Sequence, residues 1–225
     1  MPAGQTAGAP ATLTELLAVP GVTEHHELRS RFGFMAFHGG NLERATDRIA
    51  RAAADRAGAS FYGVVQGPGV RHHLASTRFD PAESPALAAF VEHCDVVVAV
   101  HGYGRRGRWT EVLVGGRNRD LAADVVRPLR RRLPEYRFAD RLDDIPKPLR
   151  GQHRDNPCNL TRGGGVQLEL PPRLRGLTPM ANHWPGADRA VEFSHLHRLV
   201  DGLAEAATRW ELAQAGSGHA DTVAQ

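Results

Sequence analysis

Short apolar runs recur along the 225-residue chain, and segments of helical periodicity separate them. The runs are FGFMAF (32–37), SFYGVV (60–65), DVVVAV (95–100), TEVLVG (110–115), YRF (136–138) and GVQLEL (165–170). Their β-branched and aromatic residues suit a pleated, half-buried surface. Alternation of such runs with helices predicts an α/β layer fold around a largely buried sheet, with DVVVAV as a central strand. The clearest helix runs from 42 to about 57, with Ala45, Ile49, Ala52 and Ala53 on one face, Asn41 as N-cap and Gly58 as its stop. Further helices are expected at 85–93, 118–132 and 187–213.

Neither an internal repeat nor an interdomain linker interrupts this pattern, so residues 13–213 read as one domain. The stretches 1–12 and 214–225 are small, polar and aperiodic, and are expected to be flexible. The segment 143–157 carries three prolines and little periodicity, which predicts a long surface loop of the functional kind.

Charge modifies this picture little. The net charge is +3 and the pI near 9.3, but Lys147 is the only lysine and the other 27 basic residues are arginines interleaved with acids. A nucleic-acid footprint clusters on one stripe or helix, so no nucleic-acid partner is expected, and the dense run RPLRRRL (127–133) reads as a solvated helix end. No apolar stretch approaches the roughly 20 residues that span a bilayer, and no secretory pattern opens the chain. The expectation is a cytoplasmic protein without a membrane partner, with release to the cell exterior by another route as the alternative. Cys94 and Cys158 have neither disulfide-framework nor paired CxxC spacing and read as buried thiols.

The chemistry concentrates where strands end. FMAFHGGNLE (34–43) closes an apolar run on His38, turns at Gly39 and Gly40, and reaches Glu43 where the helix is expected to begin. Taken alone, this motif reads first as a histidine satisfied by backbone and a glutamate complementing the helix dipole. VVVAVHGY repeats the arrangement at His101 and Gly102. Two strands ending in His-Gly, plus one glutamate, supply the His₂Glu set of catalytic zinc sites, which leave one position open. Such a site needs a base, and Glu169 is the candidate. By period-2 alternation it shares a face with Gln167, whereas Val166, Leu168 and Leu170 share the other. The alternative for Glu169 is an edge strand facing water.

Taken in order, HGGNLE, FYGVVQGPGVRHHLASTRFD, VVVAVHGY, VLVGG and NPCNLTRGGGVQLELPPRLR resemble the poly-γ-glutamate hydrolase family over about residues 23–205. The resemblance implies a zinc-carboxypeptidase-like fold, three-layer αβα with a mixed, mostly parallel sheet. It implies Zn²⁺ held by His38, Glu43 and His101, with Glu169 as general base and acid in cleavage of γ-glutamyl amides. An anionic γ-linked polymer or peptide would be the substrate of a monomeric enzyme. Its carboxylates call for arginines, whose planar fork pairs them bidentately: Arg162 first, then Arg78, Arg117 and Arg173, with Asn159 as a further contact or the holder of its own turn. His73 reads as structural, or as a pocket residue or alternative ligand, and GYGRRGRW (102–109) as a basic rim or a solvated turn. Two other readings stay open: a metal-binding module without turnover, and a zinc peptidase acting on another amide.

Overall fold

The apolar runs become strands, and the residues between them decide which side of the sheet is covered. The computed structural model describes residues 9–177 and 189–222. Within them lie β1 (Val22–Glu27), β2 (Phe32–Gly40), β3 (Ser60–Gln66), β4 (Val96–Gly102), β5 (Glu111–Gly115), β6 (Arg137–Ala139) and β7 (Gly165–Leu170). They form one sheet in the order β1-β3-β2-β4-β7-β5-β6. The pairs β3–β2, β2–β4, β4–β7 and β5–β6 are parallel, whereas β1–β3 and β7–β5 are antiparallel. The expected mixed, mostly parallel sheet is the one observed.

Helices cover both faces. Along β4, Val96, Val98 and Val100 face the side packed by α2 (Thr46–Ala57), α4 (Arg119–Arg132) and α5 (Arg189–Thr222), which contribute Ile49, Leu129 and Leu203. Val97 and Ala99 face the other side, closed by Leu13 and Leu16 of α1 (Leu13–Leu17) and Leu87 and Phe90 of α3 (Pro85–His93). Burial of each large side chain in these layers contributes on the order of 1.5–3 kcal/mol. Among the described residues, no helix is long and apolar enough to cross a membrane.

Besides the unexpected short helix α1, three elements depart from expectation. Strand β1, VTEHHE, escaped the pattern because it is an edge strand with a single buried apolar residue, Val22. Its Glu24 instead accepts hydrogen bonds from Tyr62 Oη at 2.6 Å and Ser84 Oγ at 2.5 Å. Helix α2 begins at Thr46, not 42, because Ala45 adopts a left-handed φ of 74°. Asn41 is therefore no N-cap, and its side-chain amide donates to the Val70 carbonyl. At the C-terminal end, α5 runs to Thr222, beyond the expected limit at 213. Residues 1–8, 187–188 and 223–225 of the expected termini and last helix lie outside the described residues.

Candidate metal centre and cleft

In an open α/β sheet, ligands bind beyond the carboxyl ends of the strands where the chain order reverses. Here the chain leaves β2 for β3 on one side, while β7 and β5 lie on the other side of β4. The ends of β2 and β4 therefore border the crevice, and they carry His38 and His101.

A β-bulge brings the two histidines to the same side. Ala36 pairs with Gly63 but Gly39 pairs with Val65, so β2 carries one extra residue against β3. Strict alternation would send His38 with Phe34 and Ala36 toward α2. The bulge turns it instead to the side of Phe37, with its ring centroid 5.1 Å from His101 and 5.9 Å from Phe79. After Gly40 the chain folds back, the Glu43 N–H donating to the His38 carbonyl at 2.8 Å. Glu43 thus stands in a turn ahead of α2, not in its first helical turn.

The three side chains converge. Their potential ligand atoms all lie within 4.8 Å of one another, and both histidines are buried. His38 Nε2 lies 2.8 Å from the Leu74 carbonyl, which accepts only, so Nε2 carries a proton and donates. The neutral ring then points the Nδ1 lone pair at Glu43 Oε1, 2.9 Å away. Two acceptors at that distance repel unless a proton or a metal cation satisfies both. Glu43 Oε2 accepts from the Gly102 N–H at 2.8 Å and lies 3.5 Å from His101 Nδ1. His101 Nε2 is buried with no hydrogen-bond partner among the described residues. Neutral imidazoles and a carboxylate are the donor set zinc prefers, so these residues fit the metal the sequence implies.

The electrostatics agree. Burial opposes charge on His38, but the hydrogen bond and charge of Glu43, with the Leu74 carbonyl, outweigh it and raise the pKa. Burial also opposes charge on Glu43, yet His101 and His38 hold its carboxyl well below the usual carboxylate range. Such a site concentrates negative charge beside nitrogen donors, which favours a cation.

Glu169 faces the same crevice. It pairs with His101 across the β4–β7 ladder, and Gln167 pairs with Ala99. Because Val166, Leu168 and Leu170 pack toward α2, α4 and α5, the intervening Gln167 and Glu169 face the side of His101. A buried relay holds them: Asn156 Nδ2 donates to Gln167 Oε1 at 2.7 Å, and Gln167 Nε2 donates to Glu169 Oε1 at 2.9 Å. Burial and then the negative charge of Glu43 push the Glu169 pKa well above the carboxylate range.

A cleft of about 620 Å³ opens over these groups. Its floor is His38, Glu43, His101, Gln167 and Glu169. Its walls come from His73, Ser76 and Thr77 on one side and from the 147–153 stretch with Asn156 on the other. The proline-rich loop expected at 143–157 is therefore a cleft wall, carrying Lys147, Arg150 and His153.

The expected substrate contacts fall elsewhere. Arg162 lies at the opposite end of the sheet, where its guanidinium donates to Asp95 at 2.7 Å. Asp95 precedes β4 and His101 nearly ends it, a separation of about 20 Å along the strand. Arg78 donates to the Ala11 carbonyl, and neither it, Arg117 nor Arg173 lines the cleft. Asn159 holds a turn: its side-chain amide donates to the carbonyls of Gly151 and His153, and its Oδ1 accepts from the Arg117 N–H. From the stretch 102–109, Gly102 and Tyr103 reach the cleft, while Arg108 pairs with Glu111. His73 lines the cleft, 5.0 Å from His38 between ring centroids. Gln167 was legible from the alternation that placed Glu169. Asn156 and Arg150 had no local signal apart from the loop that carries them.

Known proteins share this arrangement of chain. The family model described as poly-gamma-glutamate hydrolase matches residues 14–183. The SPbeta prophage-derived UPF0714 protein YoqZ of Bacillus subtilis (strain 168) is 31% identical over 138 residues, 60% of this chain and 47% of that protein. The UPF0714 protein YmaC of the same organism is 32% identical over 143 residues, 63% of this chain and 57% of that protein. The chain spans about half the length of the curated relatives it matches. Among solved structures, a bacteriophage poly-gamma-glutamate hydrolase superposes with a TM-score of 0.70 at 21% identity, covering 88% of this chain and 94% of that one. A zinc-free apo form of YndL superposes with a TM-score of 0.60 at 22% identity, covering 80% and 90%. At these identities the structural likeness establishes the fold.

Proposed function

The chain belongs to the poly-gamma-glutamate hydrolase family, and from that premise we propose that its cleft is a zinc-dependent amidohydrolase site that cleaves γ-glutamyl amides of poly-γ-glutamate or a related γ-linked polymer. The observation that carries this reading is the convergence of His38, Glu43 and His101 within 4.8 Å, with Glu169 on the next strand facing the same cleft. A relative whose apo form is the zinc-free one supports zinc as the metal. Zinc, when bound, supplies a Lewis acid that polarises the scissile carbonyl and acidifies water.

The chain's own groups do the rest. His38 is fixed by the Leu74 carbonyl and presents Nδ1; Glu43 is fixed by the Gly102 N–H and presents its second oxygen. Glu169 takes the proton of the attacking water and returns it to the leaving nitrogen, with Gln167 holding one carboxylate oxygen so that the other is free to act. A cation held by His38, Glu43 and His101 would oppose the burial and the Glu43 charge that disfavour ionisation of Glu169. Lys147 and Arg150 in the cleft wall supply positive charge that would suit the carboxylate each γ-linked unit leaves free.

Zinc-loaded protein incubated with poly-γ-glutamate and with α-linked polyglutamate provides the test, with chain length followed by size-exclusion chromatography. Shortening of the γ-linked polymer alone, abolished by a chelator, is the expected result. An intact γ-linked polymer in the presence of stoichiometric bound zinc would overturn this substrate reading, in favour of a peptidase if the α-linked polymer is cut and of a binding module if neither polymer nor any other amide is.

A further inference from the structure

Arg175 is a buried guanidinium that has no carboxylate within ion-pair distance among the described residues, and the catalytic scheme does not use it. It ends a short turn, Pro172–Arg175, that follows β7 directly. Burying a charge is unfavourable unless it is hydrogen-bonded or compensated. Here the compensation is specific. Arg175 Nε donates to the Leu170 carbonyl at 3.2 Å, Nη1 to the Arg44 carbonyl at 3.0 Å and Nη2 to the Tyr103 carbonyl at 3.4 Å. The negative charge of Glu43 also acts on it, against the burial that disfavours its charge.

These three carbonyls belong to the segments that carry the site. Arg44 follows Glu43, Leu170 follows Glu169, and Tyr103 lies two residues past His101 and one past Gly102, whose N–H holds Glu43. The guanidinium lies flat against Gly102: a Cβ there would sit 2.6 Å from Arg175 Cζ and 2.7 Å from Nη1. The missing side chain at Gly102 thus lets the Arg175 fork reach the Tyr103 and Arg44 carbonyls at once. A planar fork with fixed angles can hold three segments in register, whereas an ammonium on a flexible stem cannot.

We infer that Arg175 is a positioning residue for the metal site, setting the placement of the Glu43 turn relative to the ends of β4 and β7 that carry His101 and Glu169. The inference rests on the metal reading of His38, Glu43 and His101. It goes beyond that reading in assigning the geometry of the site to a group that touches neither metal nor substrate. Outer-shell partners of this kind typically account for 10- to 100-fold in metal affinity.

A purely structural role would lower the melting temperature but leave the zinc affinity of the folded molecules unchanged, so affinity is the discriminating measurement. Full-length wild type, Arg175→Met and Arg175→Lys are stripped of metal, checked for fold by far-UV circular dichroism, and titrated with zinc against a chromophoric chelator well below their melting temperatures. Cobalt(II) is then substituted and its visible absorption recorded. Both variants are expected to fold, to bind zinc about 10- to 100-fold more weakly than wild type, and to show a cobalt spectrum displaced from that of wild type, with Lys failing to rescue. Folded variants with wild-type zinc affinity and spectrum overturn the inference alone. Loss of fold in both variants assigns Arg175 to stability and overturns it too. A wild type that binds no zinc overturns the metal reading and the inference together.

Discussion

Glu169 shows how one residue's chemistry depends on its immediate company. It is buried on a strand, tied at one oxygen by Gln167 and facing the anionic Glu43, so its ionised form is disfavoured until a cation stands nearby. Glu169→Gln keeps the shape and the Gln167 hydrogen bond while removing the proton acceptor. The variant is expected to bind zinc as wild type does and to lose about 10²- to 10⁴-fold in kcat on the γ-linked polymer. Its metal-free form should be at least as stable as wild type, because position 169 no longer holds a buried carboxylate to charge. Parallel zinc titration, kinetics and urea denaturation check all three, and an active Glu169→Gln would dismiss the general-base role.

At the scale of elements, the decisive segment is the turn from β2 into α2. Gly40 has φ of 68° and its missing Cβ leaves room for the Gln66 carbonyl, which a methyl group would approach to 2.2 Å. Gly58, at the C-cap of the same helix, has nearly the same φ of 66° but nothing within 4 Å of a Cβ. The two glycines separate backbone strain from steric exclusion. Gly58→Ala should lower stability by about 1–2 kcal/mol, the ordinary penalty of a left-handed alanine. Gly40→Ala should lose that amount and more, since β3 must also give way, and it should weaken zinc binding because the displaced turn carries Glu43. Urea midpoints for the pair, with zinc affinity alongside, test this; equal losses would mean that the Gln66 contact carries no weight.

At the scale of the whole molecule, the proposed ligands His38, Glu43 and His101 join the central strands β2 and β4 and the turn ahead of α2, so zinc binding should stabilise the entire fold. Zinc at 100 times its dissociation constant adds about 2.7 kcal/mol, which for a chain of this size raises Tm by roughly 5–10 °C. The rise should vanish in His101→Ala, since two remaining ligands hold zinc poorly, and differential scanning calorimetry with and without zinc reads it directly. What the sequence determined by itself was whatever local pattern encodes: β7 with the Gln167–Glu169 face, read from alternation; α3, from its own periodicity; and the twin His-Gly endings of β2 and β4, where an apolar run stops at a polar residue. Edge strand β1 was illegible because its hydrogen bonds are made by backbone and its side chains are polar. The bulge that re-aims His38 and the left-handed Ala45 arise from pairing with β3 and from the turn, not from the identity of those residues. Arg162 and Arg175 are the same residue type in neighbouring segments, and only the tertiary structure sends one to Asp95 at the far end of the sheet and the other to three carbonyls around the site. Every residue carries a backbone carbonyl, so nothing in a sequence marks the three that Arg175 holds; long-range packing alone brings them to one guanidinium.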